Sequence, residues 1–257
     1  MSPTPVILVT AGSAGVGAAA AKTFATAGYR IVINYSNNST RASDLLSELE
    51  QLVPLDSTGS TKPELKFLAI KADLSKKSEI AELVTEVISE MGRLDVVFSN
   101  GGWTKVTNFN DLDDNVDEEM WDACWNMNVK SHLWLFHAAR KYLEESEGCF
   151  VTTASVAGVK PSGSSIAYSV TKAAQIHLVK TLASISGPHI RVNSVSPGLL
   201  LTEWGLKFPQ EKRDAAKAKT KLKRFATVED VAEQVLCFAK SKSVTGSNAV
   251  IDAGTSL

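Results

Sequence analysis

The sequence predicts an α/β protein: a single doubly wound domain, residues 1–257, built around a seven-stranded parallel sheet. Short apolar runs rich in Val, Ile and Phe recur along the chain, and segments with helical periodicity separate them. No internal repeat or linker divides the 257 residues. Strands that alternate with helices favour a parallel sheet with helices on both faces.

Each expected strand is a short run dominated by β-branched or aromatic residues. In chain order the runs are Val6–Thr10, Ile31–Tyr35, Phe67–Ala72, Asp95–Ser99, Cys149–Ala154, Ile190–Ser196 and Ala249–Asp252. The polar stretch 53–66, which contains two prolines, predicts a surface loop before the third strand. Right-handed crossovers place the loops that follow the strands along one edge of the sheet, where ligands bind.

Composition and charge exclude several classes of protein. The formal net charge of -1 provides no basic field for nucleic acid. No basic segment precedes the first strand, and no apolar run approaches the roughly 18 to 20 residues that span a bilayer. We therefore expect a soluble cytoplasmic protein that binds neither nucleic acid nor membrane.

No metal site is expected. Cys124, Cys149 and Cys237 lie far apart without CxxC spacing, and the four histidines show no ligand spacing. The stretch 110–119 carries six carboxylates but no regular ligand pattern and no turn glycine. It is typical of a solvated loop and an acidic helix N-terminus.

A glycine-rich turn follows the first strand and leads into a helix. A strand, a glycine turn and a helix N-terminus together are typical of a site for a dinucleotide pyrophosphate. Gly12, Gly15 and Gly17 read G-x-x-G-x-G, however, whereas the common fingerprint is G-x-G-x-x-G. The turn alone is weak evidence for a nucleotide.

Tyr168 and Lys172 lie four residues apart at the start of an apolar-periodic helix, so both occupy one face. An ammonium beside a phenol lowers the phenol pKa from about 10, which would let Tyr168 transfer a proton. Ser155, thirteen residues upstream, follows a strand and could hydrogen-bond the same substrate oxygen. A Tyr/Lys pair by itself is usually ordinary packing, but in this order with the glycine turn it indicates an enzyme.

With this ordered set of motifs, the sequence resembles a short-chain dehydrogenase/reductase over essentially its whole length. Residues 168–172 match the family's Y-x-x-x-K, Ser155 its catalytic serine and Asn128 its helix asparagine. The resemblance implies a Rossmann fold and hydride transfer between a nicotinamide cofactor and a carbonyl or alcohol. It implies that Tyr168 is the proton donor, that Ser155 orients the oxygen, that Lys172 binds the nicotinamide ribose and that Asn128 supports a relay water.

The same resemblance assigns the cofactor site. Thr10, Gly15 and Gly17 fill three of the four fixed positions of T-G-x-x-x-G-x-G, and Ala11 replaces the first glycine. We expect Gly12 to take over the tight bend, or a mild compromise, so that binding survives. The expected cofactor contacts are Thr10, Gly12, Gly15, Val16, Gly17, Ser36, Asn37, Asp73, Leu74, Asn100, Gly101, Tyr168, Lys172, Pro197, Gly198, Leu200 and Thr202.

The end of the second strand favours NADP(H) over NAD(H). NAD-preferring folds generally place an acid there, but this strand runs into Ser36, Asn37 and Asn38, and no acid occurs before Asp44. These side chains can donate to a 2′-phosphate, and Arg41 can add charge. Part of the usual phosphate clamp is missing, because residue 14 is Ala where NADP-specific relatives often carry a basic residue.

By resemblance, a lid at about residues 199–226 walls the substrate pocket, together with loops after the fourth and fifth strands. Trp103, Val156, Trp204 and Phe208 predict an apolar pocket for a ketone or alcohol, unless they pack in the lid or a subunit contact. The basic stretch 210–224 could attract an anionic carrier, although a solvated lid face is favoured.

Relatives commonly form tetramers through helices that correspond to 117–145 and 168–186, so a homo-oligomer, tetramer or dimer, is expected. Two alternatives to a reductase stay open: a non-catalytic cofactor-sensing or scaffold protein, and an isomerase or dehydratase on the same fold.

Overall fold

The fold is described here from a computed structural model, which covers residues 4–52 and 67–257. The surface loop expected at 53–66 lies outside these residues. Seven parallel strands form one sheet in the order β3-β2-β1-β4-β5-β6-β7. They are β1 Val6–Val9, β2 Arg30–Tyr35, β3 Phe67–Lys71, β4 Val96–Ser99, β5 Cys149–Thr153, β6 Arg191–Pro197 and β7 Asn248–Ile251. The predicted fold class is confirmed, and every predicted strand end lies within one residue of the observed end.

Helices cover both faces of the sheet. Their bounds are α1 Gly15–Thr26, α2 Ser39–Leu52, α3 Lys77–Met91, α4 Glu118–Trp125, α5 Ser131–Glu145, α6 Ile166–Ser186, α7 Gln210–Lys219 and α8 Val228–Lys240. A π-helical turn, Asn126–Lys130, joins α4 to α5. Within the described ranges, no helix is long and apolar enough to cross a membrane.

Side chains of each strand alternate between two separate cores. In β1, Ile7 and Val9 pack into the core under α1, α2 and α8, whereas Val6 and Leu8 pack under α3, α5 and α6. All four side chains are fully buried. This two-sided burial explains why the strand sequences are continuously apolar rather than alternating.

The sheet order reverses between β1 and β4, whose neighbours are β2 on one side and β5 on the other. Such a reversal leaves a crevice at the carboxyl ends of the strands, because the two crossover connections leave in opposite directions. The loops after β1, β4, β5 and β6 meet at this crevice.

The acidic stretch 110–119 behaves as a helix N-terminus. The Asp117 side chain accepts a hydrogen bond from the backbone N–H of Met120, at 2.7 Å, and so caps α4. In the part of the chain that the structure describes, no three His, Cys, Asp or Glu side chains are grouped so that they could hold a metal ion.

Candidate active site

A cleft of about 470 Å³ opens at the switch point of the sheet. It brings the glycine turn, the start of α2, the loops after β4, β5 and β6, and the first turns of α6 into one site. The residues that line it are Ala11, Ser13, Ala14, Gly15, Val16, Arg41, Asn100, Gly102, Thr153, Ala154, Tyr168, Lys172, Leu200, Thr202, Glu203 and Trp204. A single cleft therefore joins the predicted nucleotide turn to the predicted proton donor.

The tight bend of the glycine turn falls on Ala11. Ala11 has a φ of +47° and Gly15 a φ of +51°, and both values lie in the left-handed region. The expectation that Gly12 takes over the bend is wrong, since Gly12 does not have a positive φ. Ala11 itself adopts the left-handed conformation, which corresponds to the mild compromise given above as the alternative. Its Cβ makes that conformation less favourable than it is for glycine.

Gly12 and Gly17 are needed for close approach rather than for a left-handed backbone. A Cβ on Gly12 would lie 2.8 Å from both the Cβ of Ile33 and the carbonyl oxygen of Val9. A Cβ on Gly17 would lie 2.4 Å from the carbonyl oxygen of Ala11. These two glycines support the turn from behind, so the backbone of Gly15 and Val16 faces the cleft.

Asn34, the penultimate residue of the apolar strand β2, is a site residue that sequence reasoning missed. Its Oδ1 accepts from the backbone N–H of Ala11 at 3.2 Å, and its Nδ2 donates to the carbonyl oxygen of Ala72 at 3.0 Å. Its backbone oxygen accepts from Gly12 at 2.8 Å. The available signal was an amide side chain inside the apolar run IVINY, because a buried polar side chain needs hydrogen-bond partners nearby.

Thr10 and Asn100 connect the turn to β4 and β5. The Thr10 hydroxyl is fully buried and accepts from the backbone N–H of Asn100 at 2.9 Å. Asn100 donates from Nδ2 to the carbonyl oxygen of Ala11 at 3.3 Å, and its Oδ1 accepts from the Thr153 hydroxyl at 2.8 Å. Thr10 therefore acts as an anchor behind the cleft, whereas Asn100 lines it.

Lys172 is 3% exposed and has its amine at the carboxyl end of β5. The Nζ donates to the carbonyl oxygen of Thr153 at 2.7 Å and to Oε1 of Gln175 at 2.9 Å. Burial lowers the pKa of Lys172 from its ordinary 10.5 to about 7. Gln175 was missed from the sequence, although it lies one helical turn after Lys172 on the same face.

Tyr168 lies beside Lys172, with the Lys172 Nζ 5.6 Å from the centre of the phenol ring. The sequence predicted that Lys172 lowers the tyrosine pKa, and this is wrong for the structure described here. Burial raises the pKa of Tyr168 above its ordinary value, and a hydrogen bond with the Ser155 side chain opposes that increase only in part. The physical reason is that the site desolvates both groups, so the lysine is itself only partly charged near neutral pH.

Ser155 follows β5 and begins a short 3-10 turn, Val156–Gly158. Its hydroxyl oxygen accepts from the backbone N–H of Ala157 at 3.1 Å, which fixes the side chain at the strand end. The hydroxyl of Ser169 donates to the carbonyl oxygen of Ala157 at 2.7 Å and ties this turn to α6. The Ser155 side chain also hydrogen-bonds the Tyr168 side chain, so these two candidate residues lie together.

Asn128 lies in the π-helical turn and is fully buried. Its Oδ1 accepts from the backbone N–H of Trp103 at 2.9 Å, and its Nδ2 donates to the carbonyl oxygen of Trp103 at 2.9 Å and to the hydroxyl of Thr171 at 3.0 Å. The amide therefore holds the loop after β4 against α6. Its predicted part in a water relay stays a prediction.

The segment after β6 forms the wall of the cleft next to the glycine turn. A Cβ on Gly15 would lie 3.3 Å from Cγ2 of Thr202, so this segment touches the glycine turn. Leu200 and Thr202 line the cleft. Pro197 is buried at the end of β6, and a Cβ on Gly198 would lie 2.9 Å from Cβ of Asp252.

Ser36 and Asn37 are exposed beyond the end of β2 and are not among the described residues that line the cleft. Arg41, at the start of α2, does line it. The Arg41 Nη2 lies 2.8 Å from Oε1 of Glu203.

The loop after β3 holds two further predicted cofactor residues. The Asp73 carboxylate accepts from the backbone N–H of Ser75 at 2.9 Å, and hydrogen bonds from Ser75 lower the pKa of Asp73. A Cβ on Gly101 would lie 2.5 Å from Cδ1 of Leu74, so these two predicted cofactor residues pack against each other beside the cleft.

The four predicted pocket residues do not all face the cleft. Trp204 lines it and is 46% exposed. Trp103 packs instead against Met120 and Cys124 in a small separate cluster, and its backbone holds Asn128. Val156 and Phe208 are half-buried and lie outside the set of described residues that border the cleft.

Comparison with known proteins decides the family. The sequence model of a family described as enoyl-(acyl carrier protein) reductase matches residues 10–256. A Streptomyces violaceoruber protein, described as a ketoacyl reductase of the granaticin polyketide synthase, is 32% identical over 256 residues, covering 98% of this chain and 96% of the relative. A solved structure described as a short-chain dehydrogenase/reductase, from Burkholderia xenovorans, has a TM-score of 0.84 and 29% identity and covers 99% of both chains. The chain belongs to the short-chain dehydrogenase/reductase family.

A second solved short-chain dehydrogenase, from Burkholderia cenocepacia and in complex with NADP, has a TM-score of 0.86 and 27% identity over 99% of both chains. Short-chain dehydrogenases/reductases are oxidoreductases that bind a nicotinamide cofactor. The turn at residues 11–17 fits such a group, since the close contacts behind Gly12 and Gly17 keep side chains out of it and leave backbone along the cleft. The N-terminus of α1 adds a positive dipole end for a pyrophosphate.

Replacement of Ala11 by glycine tests the strain in the turn. We expect Ala11→Gly to raise the free energy of unfolding by up to about 1 kcal/mol, because glycine has no Cβ to crowd the backbone at a left-handed φ. Ala81→Gly, at an exposed position within α3, is the matched control and should lower that free energy by about 1 kcal/mol. Urea unfolding measures both, and equal destabilisation by the two changes would contradict strain at Ala11.

The lowered pKa of Lys172 predicts a specific pH dependence of stability. The folded pKa of about 7 lies below the unfolded value of about 10.4. The unfolded state therefore binds more protons between these values, and stability rises with pH across that window by up to about 1.4 kcal/mol per unit. Below about pH 7 the contribution is constant.

Lys172→Met removes this titrating group. The free energy of unfolding of the wild type minus that of Lys172→Met should increase from pH 7 to 10, measured by urea unfolding. Lys180→Met, at an exposed position of the same helix, should give a difference that does not change with pH. Parallel curves for the wild type and Lys172→Met would refute the lowered pKa.

Proposed function

We propose that the protein is an NADPH-dependent carbonyl reductase, and alcohol dehydrogenase in the reverse direction, that acts on a ketone or alcohol with an apolar substituent. The observation that carries this proposal is the clustering of Tyr168, Ser155 and the buried amine of Lys172 at one end of a cleft whose other end is the glycine turn. A binding module would not need a proton donor and a desolvated lysine beside its cofactor.

The bound nicotinamide cofactor supplies the hydride. The residues of the chain supply the proton and the alignment of the reacting groups. Tyr168 is protonated because burial raises its pKa, so its hydroxyl is ready to donate to the alkoxide that forms from a carbonyl. Ser155, held by Ala157, donates a hydrogen bond to the same oxygen as negative charge develops there.

Lys172 prepares the proton donor and holds the cofactor ribose. An ammonium has three donors, and two of them are engaged by Thr153 and Gln175. The third remains for a ribose hydroxyl on the cleft side. Because its pKa is about 7, Lys172 can gain or lose a proton near neutral pH and so supply Tyr168 after turnover, with Asn128 as the support of a relay water.

The preference for NADP(H) over NAD(H) rests on the region after β2. Arg41 borders the cleft, and the exposed residues 36–40 before it, which include Ser36, Asn37 and Asn38, carry no negative charge. A guanidinium suits a phosphate because of its planar, multiple donors. The Burkholderia cenocepacia relative, which holds NADP, is consistent with this assignment.

The apolar substrate side rests on Trp204, whose half-exposed ring lines the same cleft as Tyr168 and Lys172. The relative described as a ketoacyl reductase points to the same class of carbonyl compound. A lid over this side is proposed for residues 199–226, which include the 3-10 turn Gly205–Lys207 and α7.

We also propose a homo-oligomer, tetramer or dimer. Trp125 at the end of α4, Leu133 on α5 and Val170 on α6 are 39%, 41% and 43% exposed. These side chains lie on the two helical regions that relatives use to pair subunits, and exposed large apolar groups on these helices favour such a contact.

Tyr168→Phe tests the proton donor. It removes the hydroxyl with little change of shape, so we expect kcat for ketone reduction to fall about 10²- to 10⁴-fold, while the Kd for NADPH changes little. Tyr142→Phe, on α5 and away from the cleft, should keep the wild-type kcat. Steady-state kinetics on a panel of carbonyl compounds measures both variants, and full turnover by Tyr168→Phe would rule out the proposed role.

Ser36→Asp tests the cofactor preference. A carboxylate at the end of β2 repels a 2′-phosphate and accepts from a ribose hydroxyl, so the ratio of NADPH to NADH affinity should fall about tenfold or more. Ser47→Asp, exposed within α2, adds the same charge farther along the helix and should leave the ratio unchanged. Titration with each reduced cofactor gives the two Kd values. If Ser36→Asp does not change the ratio, the NADP assignment fails.

A further inference from the structure

An ion pair crosses the cleft between the region after β2 and the segment after β6. Nη2 of Arg41 lies 2.8 Å from Oε1 of Glu203, and Nη1 lies 3.3 Å from Oε2. Both side chains line the cleft, at positions 162 residues apart in the sequence. The carboxylate thus engages both terminal nitrogens of the guanidinium, the arrangement that a phosphate also uses.

We infer that Glu203 is a specificity-determining residue that weakens the preference for a 2′-phosphorylated cofactor by competing with that phosphate for Arg41. This inference rests on the proposed function, in which Arg41 faces the 2′-phosphate. A phosphate dianion that approaches Arg41 must displace the Glu203 carboxylate and is repelled by its charge. A cofactor with two ribose hydroxyls does not need the guanidinium and does not meet this competition.

The exposure of the pair sets the size of the effect. The side chains of Arg41 and Glu203 are 39% and 69% exposed, so water and salt screen their attraction. Competition by such a pair should change NADPH affinity by about three- to fivefold, not by orders of magnitude. The effect should decrease as ionic strength rises, because exposed charges are screened within about 8 to 10 Å at physiological salt.

Glu203 also follows Thr202, which contacts the glycine turn, so the ion pair could simply fasten this segment to the protein. The two roles differ in their effect on the two cofactors. A fastening role changes NADPH and NADH binding equally, since both cofactors occupy the same cleft. Competition for Arg41 changes NADPH binding alone.

Calorimetric titration with NADPH and with NADH tests the inference on the full-length protein. The variants are Glu203→Gln, Arg41→Gln, the double variant, and Glu211→Gln as a matched control. Glu211 is an exposed acid in the first turn of α7, in the same segment but outside the cleft lining. Its substitution makes the same change in net charge.

We expect Glu203→Gln to tighten NADPH binding about three- to fivefold at low salt, and to leave the Kd for NADH unchanged. Arg41→Gln should weaken NADPH binding, and the effects of the two substitutions should not add in the double variant, because Glu203 then has no guanidinium to withhold from the phosphate. Glu211→Gln should match the wild type with both cofactors.

Two results separate the failure of this inference from that of the proposed function. If Arg41→Gln weakens NADPH binding but Glu203→Gln leaves it unchanged, or shifts both cofactors equally, the inference is overturned and the NADP assignment stands. If Arg41→Gln leaves both Kd values unchanged, Arg41 does not face a phosphate, and the NADP assignment and the inference fail together.

Discussion

The burial of the Lys172 amine is the constraint on which the reactive end of the cleft depends. A desolvated amine must be hydrogen-bonded, and the structure provides the carbonyl oxygen of Thr153 and Oε1 of Gln175 for this purpose. The same carbonyl accepts from Nε2 of Gln175 at 3.2 Å, so the end of β5 and the first turns of α6 are fixed to each other. Tyr168, one turn before Lys172, takes its position from this contact.

The desolvation that fixes Lys172 also sets the charge state of the reactive end. It lowers the pKa of the amine to about 7 and raises the pKa of the Tyr168 phenol. The uncharged forms of both groups are favoured by the same low-dielectric surroundings. An uncharged phenol and a neighbouring amine that titrates near neutral pH therefore arise together from one physical cause.

The two ends of the cleft follow different electrostatic rules. The pair of Arg41 and Glu203 is exposed and charged, whereas Lys172 and Tyr168 are desolvated. Salt and competing anions act strongly on the exposed end and weakly on the reactive end. The glycine turn, residues 11–17, contains no charged side chain, and Asn34 and Asn100 hold the strained Ala11 in place from both sides. The exposed pair and the desolvated pair are thus governed by different electrostatics within one cleft.

The sequence by itself determined the sheet, the order of its motifs and the pairing of Tyr168 with Lys172 on one helix. Strands buried on both faces read as apolar runs, and Tyr168 and Lys172 share a helix face through local spacing, so both features are encoded in short stretches. Only the tertiary structure decided that Ala11 takes the left-handed bend, that Asn34 supports it, that Trp103 packs away from the cleft and that Glu203 meets Arg41. Each of these depends on contacts between distant parts of the chain, and the direction of the Tyr168 pKa depends on burial, which local sequence does not specify.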